Sequence, residues 1–230
     1  MRFPSGCMSR VVVSRSPVAR PWSGKLRLFI LCIPLAYLFC GTPARAASDG
    51  WTPQTYRTTR AISGCALTSA MAHSGSRSLA LDIRLNGSDA ARREGEAFVD
   101  LRYHAPAGEH APLDLSGQTV TAWFYCPPGL EGIRHNPNGV RIFVKDTRWK
   151  SEYGAWTHMV PGKWIQLTLS PAPDAPPTGF RNPYFDPHHI IVVGVSVAAG
   201  GGSNARFLGE AAIDDIAWGD ASSPKYGFEP

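Results

Sequence analysis

The chain has 230 residues with 23 Lys and Arg against 18 Asp and Glu, a formal net charge of +5. A basic balance of that kind points to nucleic acid or an acidic surface as partner. All seven basic residues before position 47 lie in a segment without a single acid, so the remainder holds 16 Lys and Arg against 18 Asp and Glu and is about −2; the basic hint belongs to the leader and those partners are excluded.

That first segment has the form of a secretory signal. Arg2, Arg10, Arg15, Arg20, Lys25 and Arg27 precede the apolar run LFILCIPLAYLFCG and then TPARA, which is a cationic lead, a short apolar stretch and a small-x-small cleavage site. The run is short for a membrane span and contains Pro34. Residues 1–46 are therefore predicted to be removed after Ala46, with lipidation at Cys40 as the competing processing. The mature chain is placed outside the cytoplasm, secreted or periplasmic, as a monomer with no membrane span. Cys7, Cys32 and Cys40 leave with the leader. Cys65 and Cys126 remain; an oxidising compartment permits one disulfide between them, and the absence of a C-x-x-C excludes a thiol-redox motif or a zinc knuckle.

Residues 47–230 suit one domain with one core. Helical periodicity is nearly absent. Short alternating runs predict strands at ISGCALT (62–68), SLALDIRL (78–85), AFVDLRY (97–103), TVTAWFYC (119–126), VRIFVKD (140–146), WIQLTLS (164–170), IIVVGVSV (190–197) and EAAIDDIAW (210–218). Turn chemistry separates them in HSGSR, LNGSD, PPGLEG, VPGK, PAPDAPPTG and AAGGGSN. Strands without intervening helices predict an all-β, antiparallel two-sheet sandwich. Val120, Ala122, Phe124 and Cys126 form one face of their strand, with Thr121, Trp123 and Tyr125 on the other. Val140, Ile142 and Val144 likewise oppose Arg141, Phe143 and Lys145. The aliphatic series belong in the core, whereas rings mixed with charges suit a wet surface.

The order AHSGSRSLAL, DLSGQTVTAWFYCPPG, VRIFVKDTRW, GKWIQLTL and IDDIAW resembles the non-catalytic carbohydrate-binding modules of the galactose-binding-like jelly-roll superfamily, most closely those attached to mannanases and related plant-wall hydrolases. The resemblance covers roughly residues 50–218 and implies a jelly-roll β-sandwich that adheres to a polysaccharide, a mannan or another β-glycan. No hydrolase is attached to it here.

The residues alone offer matching chemistry. In RIFVKDTRWKSEYGAW (141–156), Trp149, Tyr153 and Trp156 follow a strand whose outward face shows Arg141, Phe143 and Lys145. Rings stack on the C–H face of a sugar while cations bond its hydroxyl rim, each ring contributing on the order of 1 kcal/mol. Trp123 and Tyr125 join that surface if neighbouring strands in sequence also pair in space. Trp164 and Trp218 read as packing residues. The stretch after Asp146 reads as a loop leaving the sheet.

The resemblance also implies a structural calcium ion tying the terminal strands together. It transfers to Asp214 as a side-chain ligand and to Gly75 and Ser78 in the turn HSGSRS. The acid that family members carry near their first strand has no counterpart at Ser48-Asp49-Gly50, and Glu229 in KYGFEP is the candidate to replace it by folding back.

Enzymatic readings are thinner. Asp214 and Asp215 are adjacent, and alternation sends them to opposite faces, so they do not flank one bond. Glu94 and Glu96 read as a solvated turn. His188-His189 lack H-E-x-x-H spacing, GGGS lacks the Lys-Ser/Thr of a phosphate loop, and no G-x-S-x-G occurs. A small jelly-roll polysaccharide lyase or glycosidase drawing on Tyr103, His104, Arg141, Lys145 and His158 is the alternative. An envelope adhesion or structural protein is the third reading.

Overall fold

A computed structural model describes residues 48–56, 59–202, 204–219 and 224–229. The predicted leader, with Cys7, Cys32, Cys40 and its cleavage site, lies outside the described residues. Among the described residues no helix is long and apolar enough to cross a membrane.

The elements in chain order are β1 (Trp51–Pro53), β2 (Ile62–Thr68), β3 (Ser78–Asn86), β4 (Glu94–Asp100), α1 (Leu101–His104), β5 (Val120–Cys126), β6 (Gly132–Ile133), β7 (Asn136–Pro137), β8 (Gly139–Asp146), β9 (Ser151–Tyr153), β10 (Thr157–His158), β11 (Lys163–Leu169), β12 (Phe180–Arg181), β13 (Ile190–Ala198) and β14 (Arg206–Ala217). The larger sheet runs β1-β4-β13-β8-β9-β12, with β10 also on β8, and the smaller runs β11-β5-β14-β3-β2. Their pairings are antiparallel, and the two sheets form a jelly-roll β-sandwich.

Alternation builds the core between them. Leu79, Leu81, Ile83, Phe124 and Ile213 of the smaller sheet meet Val99, Ile142, Val144, Val193 and Val195 of the larger, all nearly inaccessible to solvent. Burying each such side chain stabilises the fold by about 2 kcal/mol. Trp51 and Trp218 are also in this core, at 1% and 3% exposure.

Several sequence expectations are corrected here. The strand set at 97–103 begins earlier, at Glu94, and ends at Asp100, whose carboxylate accepts from Arg102 N and caps α1. The stretch after Asp146 does not leave the sheet. Asp146, fully buried, accepts from the N–H of Arg148 and of Lys150 and closes a tight turn, so β9 returns alongside β8 with Tyr153 opposite Phe143.

Trp123 and Tyr125 are not beside Arg141 either: β5 pairs β11 and β14 in the smaller sheet. The breakers Pro127, Pro128, Gly129 and Pro137 prevent a tight hairpin after β5. The segment between β5 and β8 instead makes its own small β6–β7 ladder and delivers β8 to the other sheet. Cys65 and Cys126 are not bridged to each other. They sit on β2 and β5, three strand spacings apart in one sheet, or about 14 Å, beyond the reach of a disulfide.

Candidate functional site

The outer face of the larger sheet is a ruled surface whose rows follow from the register. Phe98, Gly194, Phe143 and Tyr153 stand side by side on β4, β13, β8 and β9, and Phe180 of β12 extends the row. Glu96, Ser196 and Arg141 form the row on one side, and Asp100, Val192 and Lys145 the row on the other. An aromatic stripe therefore crosses the strands between two charged ones. Gly194 is required there, because the Phe143 ring lies directly over it and leaves no room for a Cβ.

The charges lock the rings. Lys145 Nζ meets Glu96 Oε2 at 3.1 Å, and Tyr153 donates its hydroxyl to Glu96 Oε1 at 2.7 Å. The same ammonium sits 4.8 Å from the Phe143 ring centre and 5.7 Å from that of Trp149. Arg141 donates to Glu94 Oε1 at 3.1 Å, which also accepts from Ser196 Oγ at 2.7 Å. Its guanidinium is held between two rings, 4.0 Å from the centre of Tyr153 and 3.9 Å from that of Trp156. Cation–π contacts of this kind are stronger where water is excluded. Burial, with Glu96 beside it, pushes the Tyr153 phenol well above its ordinary range.

Two indoles stand at opposite ends of this surface. Trp149 occupies the β8–β9 turn at φ 59, an unusual conformation for a bulky side chain, and donates its backbone N–H to Asp146 O at 2.8 Å. It meets Phe98 edge to face at 6.0 Å. Trp156 lies at the other end of β8, where Gly154, Ala155 and Trp156 interrupt the companion strand between β9 and β10, and its ring packs over Gly139. Trp149 is 46% exposed and Trp156 43%. The strand between them is about 20 Å long, the length of several sugar rings.

Five of the seven carbohydrate candidates, Trp149, Trp156, Tyr153, Arg141 and Lys145, therefore share one side of the larger sheet, but Lys145 and the neighbouring Phe143 are buried there rather than wet as the sequence suggested. Trp123 and Tyr125 belong to the smaller sheet. There Trp123 stacks on His73 with ring centres 4.0 Å apart, and Trp164 packs against both His73 and Tyr125. Glu94 and Glu96, read from sequence as a solvated turn, belong instead to β4 on this face, and Phe98 and Phe180 escaped the sequence reading. The first three were legible as alternation, since E-G-E-A-F-V-D places Glu94, Glu96 and Phe98 on one side and Gly95, Ala97 and Val99 on the other. Phe180 sits in a two-residue strand after a Pro-rich segment, and no local pattern marks it.

The turn around Gly75 also differs from expectation. Asp214 and Asp215 do not diverge. The ladder is irregular after Asp214, with Asp215 at φ 46, and both carboxylates reach the same turn. Asp214 Oδ2 accepts from His73 N at 2.8 Å, and Asp215 accepts from Ser74 Oγ at 2.6 Å while pairing with His73 Nδ1 at 2.6 Å. Glu229 lies on this turn too. It accepts from Ser76 N at 2.8 Å and from Ser76 Oγ at 2.7 Å, with its carboxylate packed against Gly75. Burial lifts Asp214 to about 6, whereas the Ser76 donors hold the exposed Glu229 below its ordinary value. Ser78 Oγ donates to Met71 O at 2.7 Å.

Calcium takes six to eight oxygens. Here the carboxylate oxygens of Asp214 and Glu229 face N–H and O–H donors. Among the described residues no group of three or more His, Cys, Asp or Glu is placed to hold a metal.

No protein-family model matches the chain, and no curated protein matches it in sequence. Solved structures with a similar backbone include a carbohydrate-binding module of the β-sandwich superfamily described as promiscuous in specificity, at 18% identity and TM-score 0.47 over 76% of this chain; this chain spans 59% of that one's length. A family 22 carbohydrate-binding module of Clostridium thermocellum is 16% identical over 77% of this chain and 90% of its own, with TM-score 0.40. A module specific for non-crystalline cellulose is 12% identical over 74% of this chain and 87% of its own, with TM-score 0.42.

Proposed function

We propose that this protein is an exported, non-catalytic carbohydrate-binding protein that lays a polysaccharide across the outer face of its larger sheet. One observation carries the reading: Trp149 and Trp156 stand almost half exposed at the two ends of β8, flanking an aromatic row whose cations are already tied to carboxylates. Exposed indoles are costly to keep in water and suit the apolar face of a sugar ring. At on the order of 1 kcal/mol per ring the affinity is weak, millimolar to micromolar, and repetition along a polymer supplies avidity. The cationic, apolar leader supports export. Mannan and other β-glycans are the first ligands to try, following the family resemblance.

The geometry favours binding over catalysis. Glu94 and Glu96 are each engaged by a cation, and Tyr153, the phenol on this face, is pushed upward and donates its proton to Glu96 rather than standing free as a base. Affinity electrophoresis on mannan, xylan and glucan gels tests the proposal. Retardation of the wild-type chain, lost in Trp149→Ala and Trp156→Ala, with no reducing sugar or unsaturated product released, is the expected result. Release of product from any of these polymers would move the protein to the lyase or glycosidase reading.

A further inference from the structure

Beside Trp156, at the Gly139 end of β8, the sheet opens into a cavity of about 690 Å³. Its wall is held by Asn138, which is buried and spends both ends of its amide, donating to Leu130 O at 2.8 Å and accepting from Gly200 N at 3.1 Å. Trp156 lines one side, and Ala198 and Ala199 add apolar surface.

The charges of this cavity differ from those of the neighbouring face. On the face every cation has a carboxylate: Arg141 with Glu94, Lys145 with Glu96, Arg102 with Asp100. In the cavity Arg93 donates only its Nε, to Gly87 O at 3.1 Å, so its two terminal nitrogens have no protein partner among the described residues. His158 lines the same cavity, and its ring has no partner among the described residues either. Glu94 also lines it, but its charge is balanced by Arg141.

An indole wall beside a free guanidinium fork and an imidazole combines a surface for a sugar ring with donors for a carboxylate, and bonds from a guanidinium to a carboxylate are among the stronger hydrogen bonds. We propose that this cavity takes a uronic acid, at a chain end or as a branch of the polymer. This rests on the glycan-binding reading of Trp156 and extends it from neutral sugar on the face to acidic sugar at its end.

The test follows the indole N–H resonances of Trp149 and Trp156 by NMR during titration with sodium glucuronate, with glucose, and with xylooligosaccharides that are unsubstituted, glucuronate-branched or glucuronate-capped. At low salt glucuronate is expected to shift Trp156 with about tenfold higher affinity than glucose. That advantage should shrink as salt screens it, vanish in Arg93→Gln, and persist in Arg92→Gln, whose residue lies outside the cavity. The tighter of the branched and capped oligosaccharides then identifies the source of the carboxylate. Equal affinity for glucose and glucuronate at Trp156, or an Arg93→Gln variant that keeps the preference, overturns the proposal. A wild-type chain in which neutral oligosaccharides move neither indole would instead remove the glycan reading beneath it.

Discussion

The two outer faces of this sandwich both carry aromatic clusters, and they use them differently. On the larger sheet the rings alternate with Arg141 and Lys145, each clamped by a carboxylate, and the terminal indoles Trp149 and Trp156 are left nearly half open to water. On the smaller sheet Trp123, Tyr125 and Trp164 lean on one another and on His73, which Asp215 fixes. Rings that satisfy each other hold a turn in place; on the larger sheet Phe143 and Lys145 are themselves buried, and the terminal indoles are what is left open to water. The contrast teaches that aromatic content does not identify a binding surface, and that what occupies the other side of each ring does.

The largest expected effect breaks the comparison on the first face. Replacing both Trp149 and Trp156 by Ala removes two stacking rings at on the order of 1 kcal/mol each, a loss of about thirtyfold. In an affinity gel this abolishes retardation, while the thermal midpoint changes little. On the second face the expectation inverts. Trp123→Ala costs about 2 kcal/mol of stability through lost packing, read by denaturant unfolding, and leaves glycan retardation unchanged.

A subtler variant separates stability from function at one position. Trp149 sits at φ 59, where a side chain costs about 1 kcal/mol and Gly does not. Trp149→Gly should therefore unfold at equal or higher denaturant concentration than the wild type and still bind more weakly. A Trp149→Gly chain that is both less stable and a full binder contradicts the assignment of that indole to the ligand.

Two small effects concern the turn at Gly75. Asp214 is raised to about 6 by burial, above its ordinary value of 3.8. Its native state therefore binds a proton more readily than the unfolded chain does. The stability it contributes is full below the unfolded value and is lost as pH rises through about 6. Melts at pH 5 and pH 7 should show part of this difference disappearing in Asp214→Ala; Glu152, also raised by burial, contributes in the same direction and remains in that variant. Calcium is expected to do nothing measurable, so that melts in chelator and in millimolar calcium superimpose. A higher midpoint with calcium would show that Asp214 and Glu229 turn from their N–H donors to a cation.

Most of the fold was legible because alternation is local. The strands at 62–68, 78–85, 140–146 and 190–197 were each placed to within one residue at either end, and Val140, Ile142 and Val144 were read correctly as the buried side of theirs. Partnership was less legible. Nothing in V-T-A-W-F-Y-C says whether its neighbour is β8 or β14, because that depends on whether the Pro-rich connection turns back or crosses to the other sheet. For the same reason the larger face was recovered in part. Arg141, Lys145 and Tyr153 were readable from one hairpin, whereas the carboxylates that clamp them come from β4, more than forty residues earlier, and acquire meaning only through register. Asp214 and Asp215 show the limit of alternation itself, since one irregular residue in a strand sends two neighbours to the same side.

The most direct measurement compares three chains, wild type, Trp149→Ala/Trp156→Ala and Trp123→Ala, by affinity electrophoresis on one retarding neutral glycan. The account predicts that the double variant runs as it does in a gel without polysaccharide and that Trp123→Ala is retarded like the wild type. Retardation kept by the double variant and lost by Trp123→Ala would place the binding surface on the other sheet and contradict it.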